Sequence, residues 1–173
     1  TDPAERLVDQ HQFPAFEDVR QAFVRFAAGA RALVACGDDP GAASVVAERA
    51  EAGGLTVTYG VAPGADVRLE GVAAVPGGTR FALRGSLLPG GSLAVEARLP
   101  GAHNALNATA AIVAATLFGV PPDAAARGVA SFGGTARRLE TLGTVDGVTV
   151  VDDYAHHPTE VRASLDAMRA LAP

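Results

Sequence analysis

Lysine is absent. All 14 basic residues of this 173-residue chain are arginine, so neither a Schiff-base lysine nor a G-x-x-x-x-G-K-[ST] phosphate loop lies within it. Arginine does not take over that loop's role, because its planar fork does not fit where a compact ammonium sits. Tryptophan is missing too, and Phe and Tyr supply all the aromatic content. The lone cysteine, Cys36, excludes an internal disulfide. Its apolar surroundings (Ala32 to Cys36) predict a buried thiol, which fits a reducing compartment. With no signal peptide in view, cytoplasm is the expected location. No apolar run approaches the ~20 residues that span a bilayer. A net charge of −5, spread along the chain, argues against nonspecific nucleic-acid binding and against an anionic membrane surface. The chain opens on Thr1-Asp2-Pro3 without an initiator Met, and the expectation is a piece of a longer protein.

What is present reads as a globular α/β chain, 49% apolar and 19% charged. Phe16, Val19, Phe23 and Phe26 recur at helical spacing, predicting an amphipathic helix over 14–28 with Glu17 and Asp18 in its first turn. A short buried strand over 31–36, a loop at Gly37-Asp38-Asp39-Pro40-Gly41, a helix over 42–52 and a strand over 55–59 follow. That order is the pattern of a parallel crossover. Segments near 66–75, 79–88 and 92–99, separated by Pro-Gly-Gly turns, predict an antiparallel meander with one solvated face. An Ala-rich helix over 102–118 ends at Gly119, and Pro121-Pro122 opens another through about 130. Gly133-Gly134 marks the expected domain boundary. Beyond it, Thr144–Val151 reads as a hairpin leading into a buried strand. A last helix begins near Pro158, with Val161, Leu165 and Met168 as its core stripe.

Chemistry concentrates in three clusters. In Pro100-Gly101-Ala102-His103-Asn104 and Asn107, turn residues feed a helix, and His103 and Asn107 share one face near its N-terminus. Asn amides match the donor–acceptor edge of a purine, and a helix N-terminus favours an anion. A plain helix cap is the simpler reading of those Asn on spacing alone. Arg137-Arg138-Leu139-Glu140 follows the glycine pair and can reach a phosphate bidentately; a solvated charge run is the simpler reading there. Asp152-Asp153-Tyr154-Ala155-His156-His157-Pro158-Thr159-Glu160 delivers carboxylates, a phenol and two imidazoles into the loop before a helix. Ligands bind at such places in open α/β sheets. A zinc site is disfavoured, since adjacent His seldom reach one metal together and no Cys accompanies them.

Taken together, Gly101-x-His103-Asn104-x-x-Asn107-Ala108, Ser131-Phe132 before Arg137-Arg138, and Asp153-Tyr154-Ala155-His156-His157-Pro158 resemble the Mur ligases. These are ATP-dependent amide-forming enzymes of peptidoglycan precursor synthesis. The last motif points to their alanine-adding branch, and the likeness runs from about residue 9 onward. It implies a fragment, with residues 1–133 as part of the central ATPase domain and 134–173 as the beginning of a Rossmann-like C-terminal domain. It further implies ATP and Mg2+ as cofactors, and UDP-N-acetylmuramate and L-alanine as partners of the full enzyme. The carboxylate is phosphorylated and the acyl phosphate is then attacked by the amine. Position by position, Asn104 and Asn107 would contact adenine beside His103. Arg138 would reach the γ-phosphate and Asp153 the ribose, while Tyr154, His156 and His157 would face muramate and amino acid. Arg138, His156 and His157 are the implied catalytic groups, with Gly133–Thr135 as the hinge.

Some family features are missing. The lysine loop and the family's metal-bridging lysine are absent, and Arg6-Leu7-Val8-Asp9 stands where Asp-His-x-Asp is usual. No metal ligand is therefore assigned, and the fragment alone is expected to be inactive. A relative that attaches a tripeptide in murein recycling is the near alternative, kept open by Leu139-Glu140. A nonenzymatic nucleotide-binding or interaction module is the alternative of another class.

Overall fold

The computed structural model describes residue 13 and residues 15–171. The Arg6–Asp9 stretch lies outside the described residues. Contacts divide the chain into two compact units, 1–66 and 67–173.

In the first unit, helix α1 (Phe16–Ala28) starts where the Asp18 carboxylate accepts the Ala15 N–H at 2.9 Å. Strand β1 (Leu33–Cys36) pairs in parallel with β2 (Thr56–Gly60), Leu33 opposite Thr56 and Cys36 opposite Tyr59. Helix α2 (Pro40–Glu51) makes the crossover between them. Its start follows from the sequence: Asp39 accepts the Ala42 N–H at 2.7 Å, and Pro40 fills a first-turn position that needs no donor. Arg20 ties α1 to α2, reaching Glu17 at 2.7 Å and Glu48 at 2.9 Å.

Two burial expectations need correcting here. Strand β1 and Cys36 are half-buried, not buried, because among the described residues no strand pairs with the outer edge of β1. Helix α1 turns its phenylalanines outward, Phe26 being 77% exposed, while Ala27 is the residue it buries. The helical period was legible; the layer that would cover those rings is absent among the described residues.

In the second unit, β3 (Val67–Val75), β4 (Gly78–Arg84) and β5 (Ser92–Ala97) form an antiparallel meander. The alternation holds: Val95 and Ala97 are buried, and Glu96 faces out beside Arg80. Strand β4 ends at Arg84, four residues earlier than expected. The chain turns there, with the Gly85 N–H on the Gly91 carbonyl and a single 3-10 turn at Pro89–Gly91. Helix α3 (Ala102–Leu117) packs over all three strands and buries Ala105, Thr109, Ile112 and Val113. It closes in a Schellman motif, with Gly119 at φ 87° and the Val120 N–H on the Ala115 carbonyl. Helix α4 (Pro122–Ser131) packs on α3 and β5.

Strands β6 (Glu140–Val145) and β7 (Val148–Asp152) form a separate two-stranded hairpin. Asp146 and Gly147 both have positive φ, the two-residue turn an Asp-Gly pair favours. The expected buried strand is not buried: Val148 is 65% exposed, because two strands alone leave a face uncovered. Helix α5 (Pro158–Leu171) also differs from expectation. Val161 and Leu165 point outward, Leu165 being 51% exposed, and the helix buries Ala167. Its small-residue edge faces α3, because Gly101 leaves a gap that only a methyl group fills: a Cβ at Gly101 would lie 2.8 Å from the Ala167 Cβ.

Candidate functional site

Three loops of the second unit converge on one hollow of about 530 Å³, lined among others by His103, Asn104, Asn107, Arg138, Asp153 and Ser164. The five residues expected at the nucleotide thus share a single cavity, although 50 positions separate His103 from Asp153 in the chain.

The start of α3 supplies the first three. Neither Asn caps the helix. Its N-cap is Gly101, without a side-chain hydrogen bond, and the Asn104 amide instead donates to the Pro100 carbonyl at 2.8 Å. Among the described residues its carbonyl oxygen and second N–H have no partner. Asn107, one turn on, hydrogen-bonds to no described residue. Burial pushes the His103 imidazole below the ordinary histidine range; Asp153 opposes this and Arg138 adds to it.

The arginine loop is held by its backbone. Arg137 and Leu139 both sit in the left-handed region, at φ 58° and 48°, which costs a non-glycine residue roughly 1 kcal/mol or more. The surroundings fix both. Glu140 accepts the Arg137 N–H at 2.7 Å, Asp153 accepts the Leu139 N–H at 2.8 Å, and the Tyr154 N–H donates to the Arg137 carbonyl at 2.8 Å. Arg137 reaches Asp152 at 3.4 Å, whereas Arg138 makes no ion pair with any described residue. The free guanidinium lines this cavity and a neighbouring hollow of about 780 Å³.

Asp153 is the staple of the third loop. One oxygen accepts from Leu139; the other accepts the Ala155 N–H at 2.8 Å and the Ser164 hydroxyl at 3.2 Å. Burial raises its pKa, but those three donors and Arg138 together outweigh it and hold the carboxyl below its ordinary value.

Tyr154, His156 and His157 do not line the cavity. The Tyr154 ring lies under the guanidinium of Arg137 at 5.0 Å, with that of Arg138 at 6.0 Å, and meets His156 edge-on at 5.1 Å. His157 precedes α5 and caps it: its Nδ1 accepts the Thr159 N–H at 3.1 Å. Glu160 reaches back to the N–H groups of His156 at 3.3 Å and His157 at 3.5 Å, as in a capping box. Those N–H groups lower the Glu160 pKa, that of His156 most, against a smaller opposing effect of burial. Phe132, quoted above as part of the resemblance, lines the cavity, and so does Ser164, which was not singled out from sequence. Ser164 lies four residues beyond Glu160, so helical periodicity from the motif could have found it.

Among the described residues no group of three or more His, Cys, Asp and Glu could hold a metal ion, and no helix is long and apolar enough to cross a membrane. The free amides and guanidinium suit a purine and a phosphate. No set of described residues suits Mg2+.

The family described as "Mur ligase middle domain" matches residues 8–115, and "Mur ligase, glutamate ligase domain" matches 137–173. The chain belongs to the Mur ligase family. Among curated relatives, a UDP-N-acetylmuramate–L-alanine ligase of Acidothermus cellulolyticus is 45% identical over 159 residues, covering 89% of this chain and 32% of the relative. One of Clavibacter sepedonicus is 46% identical over 169 residues, covering 97% and 33%. The chain therefore spans about a third of the length of these relatives. The fold matches a solved UDP-N-acetylmuramate–alanine ligase of Thermotoga maritima, with TM-score 0.75 and 23% identity over 91% of this chain and 34% of that one. It also matches a folylpolyglutamate synthetase of Lactobacillus casei, with TM-score 0.70 and 22% identity over 91% and 40%.

Proposed function

We propose that this chain carries the adenine side and the closing arginine of an ATP site in a ligase that joins L-alanine to UDP-N-acetylmuramate in the cytoplasm. The observation that carries this reading is the single cavity shared by His103, Asn104, Asn107, Arg138 and Asp153. In it the free amide edges of Asn104 and Asn107 bind adenine, with neutral His103 beside them. Asp153 has one lone-pair direction left for a ribose hydroxyl, and Arg138 offers its fork to the γ-phosphate.

In this reading a boundary at 133/134, inside the second compact unit, puts the Asn residues and the arginine on different domains, joined by the Gly133–Thr135 hinge. Closure then brings the guanidinium to the phosphate and excludes water from the acyl phosphate. The muramate carboxylate takes the γ-phosphoryl group and releases ADP. The L-alanine amine then attacks the acyl carbon, expelling phosphate and losing a proton as the amide forms. Arg138 stabilises charge on the transferred oxygens. Tyr154, His156 and His157 face the muramate and amino-acid side as the domain closes.

The test is ADP release by the full-length protein. Release that requires UDP-N-acetylmuramate and L-alanine together supports the reading. Equal turnover with a preformed tripeptide assigns the chain to the recycling branch. ATP binding without turnover under any substrate pair makes it a nonenzymatic nucleotide-binding module.

A further inference from the structure

Among the described residues, two polar side chains, Thr79 and Thr109, are buried in the core. Thr109 returns its hydroxyl to its own helix, on the Ala105 carbonyl. Thr79 does something else. It is 1% exposed near the start of β4, where a β-branched residue suits a strand. Its hydroxyl is used twice, donating to the Leu99 carbonyl at 3.0 Å and accepting the Gly101 N–H at 3.0 Å.

Those two backbone groups flank Pro100, and α3 begins at the next residue after Gly101. The turn between them does the work that a capping side chain would otherwise do. The Gly101 carbonyl accepts the N–H groups of Asn104 and Ala105 at 3.1 and 3.2 Å, and the Asn104 amide grips the Pro100 carbonyl. The turn that orients His103 and Asn104 is therefore fastened to the sheet through one hydroxyl. It has no lateral room either. A Cβ at Gly101, whose φ is 97°, would lie 2.8 Å from the Ala167 Cβ and 2.9 Å from the His103 Cε1. A shift of the turn passes directly into the His103 ring.

We infer that Thr79, which touches no ligand, is a positioning residue for the adenine side of the nucleotide site; the inference rests on reading the cavity as that site. Removing the hydroxyl orphans the Gly101 N–H and the Leu99 carbonyl at once, and the turn must move to satisfy them. The experiment is calorimetric titration of the full-length protein with Mg-ATP and, separately, with UDP-N-acetylmuramate. Thr79→Ser keeps the hydroxyl and is expected to bind ATP within about twofold of the unaltered protein. Thr79→Val is expected to weaken ATP binding about tenfold and leave UDP-N-acetylmuramate binding unchanged. Thr79→Ala is held to the same criterion if the Val variant does not fold. Unaltered ATP affinity, an equal loss for both ligands, or loss of folding in both variants overturns the inference. An unsubstituted protein that binds no ATP overturns the nucleotide reading itself, so the two failures are distinct.

Discussion

Arg138 owes its placement to its neighbours' backbones, since Arg137 and Leu139 adopt left-handed conformations on either side of it. Its guanidinium makes no ion pair with any described residue and lines the cavity. Replacing it by Lys keeps the charge and removes the fork. If the full-length protein runs the proposed ligase reaction, Arg138→Lys is expected to lower its kcat about 100-fold, with KM for L-alanine little changed, as steady-state kinetics would show. His103 permits a second check. Burial holds its pKa below the ordinary histidine value of 6.5, so the folded state binds its proton less readily than the unfolded chain. The stability it contributes is complete above 6.5 and is lost as pH falls through the folded pKa. An NMR titration of the His103 ring should show it taking up its proton at lower pH than an ordinary histidine. A His103 that titrates at or above the ordinary value sinks the prediction.

Elements were legible in the sequence to the extent that local chemistry sets them. The Gly119 stop of α3 and the Asp146-Gly147 turn of the expected hairpin are decided within a few residues and stand where the pattern placed them, whereas α2 begins at Pro40, ahead of the expected 42, because Asp39 caps it and Pro40 fills a first-turn position. Burial was less legible, because it depends on which layers are present. Phe26, Val148 and Leu165 read as core residues yet lie exposed. The Asp153–Glu160 cluster was legible as dense polar chemistry, but its division of labour was not. Asp153 and Glu160 spend most of their oxygens on backbone N–H groups, which only three-dimensional placement reveals. Glu160→Ala removes the acceptor from the start of α5. It is expected to destabilise the protein, read as a lowered midpoint in urea with an unchanged slope.

Across the whole molecule, depressed carboxyl groups occur in both units. Arg20, with Gln21, holds Glu17 down to about 2 in the first. Asp123, Asp153 and Glu160 are lowered in the second, Asp123 chiefly by Arg127. Each binds a proton more readily unfolded than folded. Stability is therefore present above the ordinary carboxylate range and lost as pH falls through the folded values. Thermal unfolding followed by circular dichroism should show a Tm that is flat near neutrality and falls below about pH 4.5. A Tm that rises on acidification contradicts it. The surface members of this set, Glu17 and Asp123, should lose part of their effect in high salt.

The convergence of the Leu139 N–H, the Ala155 N–H and the Ser164 hydroxyl on the one Asp153 carboxylate sets a rule for recombining such ligases. A chimera whose crossover falls between 139 and 153 takes its arginine loop from one parent and the carboxylate that holds it from another. Junctions ahead of the Gly133 pair keep the arginine loop, the hairpin and the Asp153 loop from a single parent. Domain shuffling among homologues should tolerate those breakpoints and fail at the inner ones.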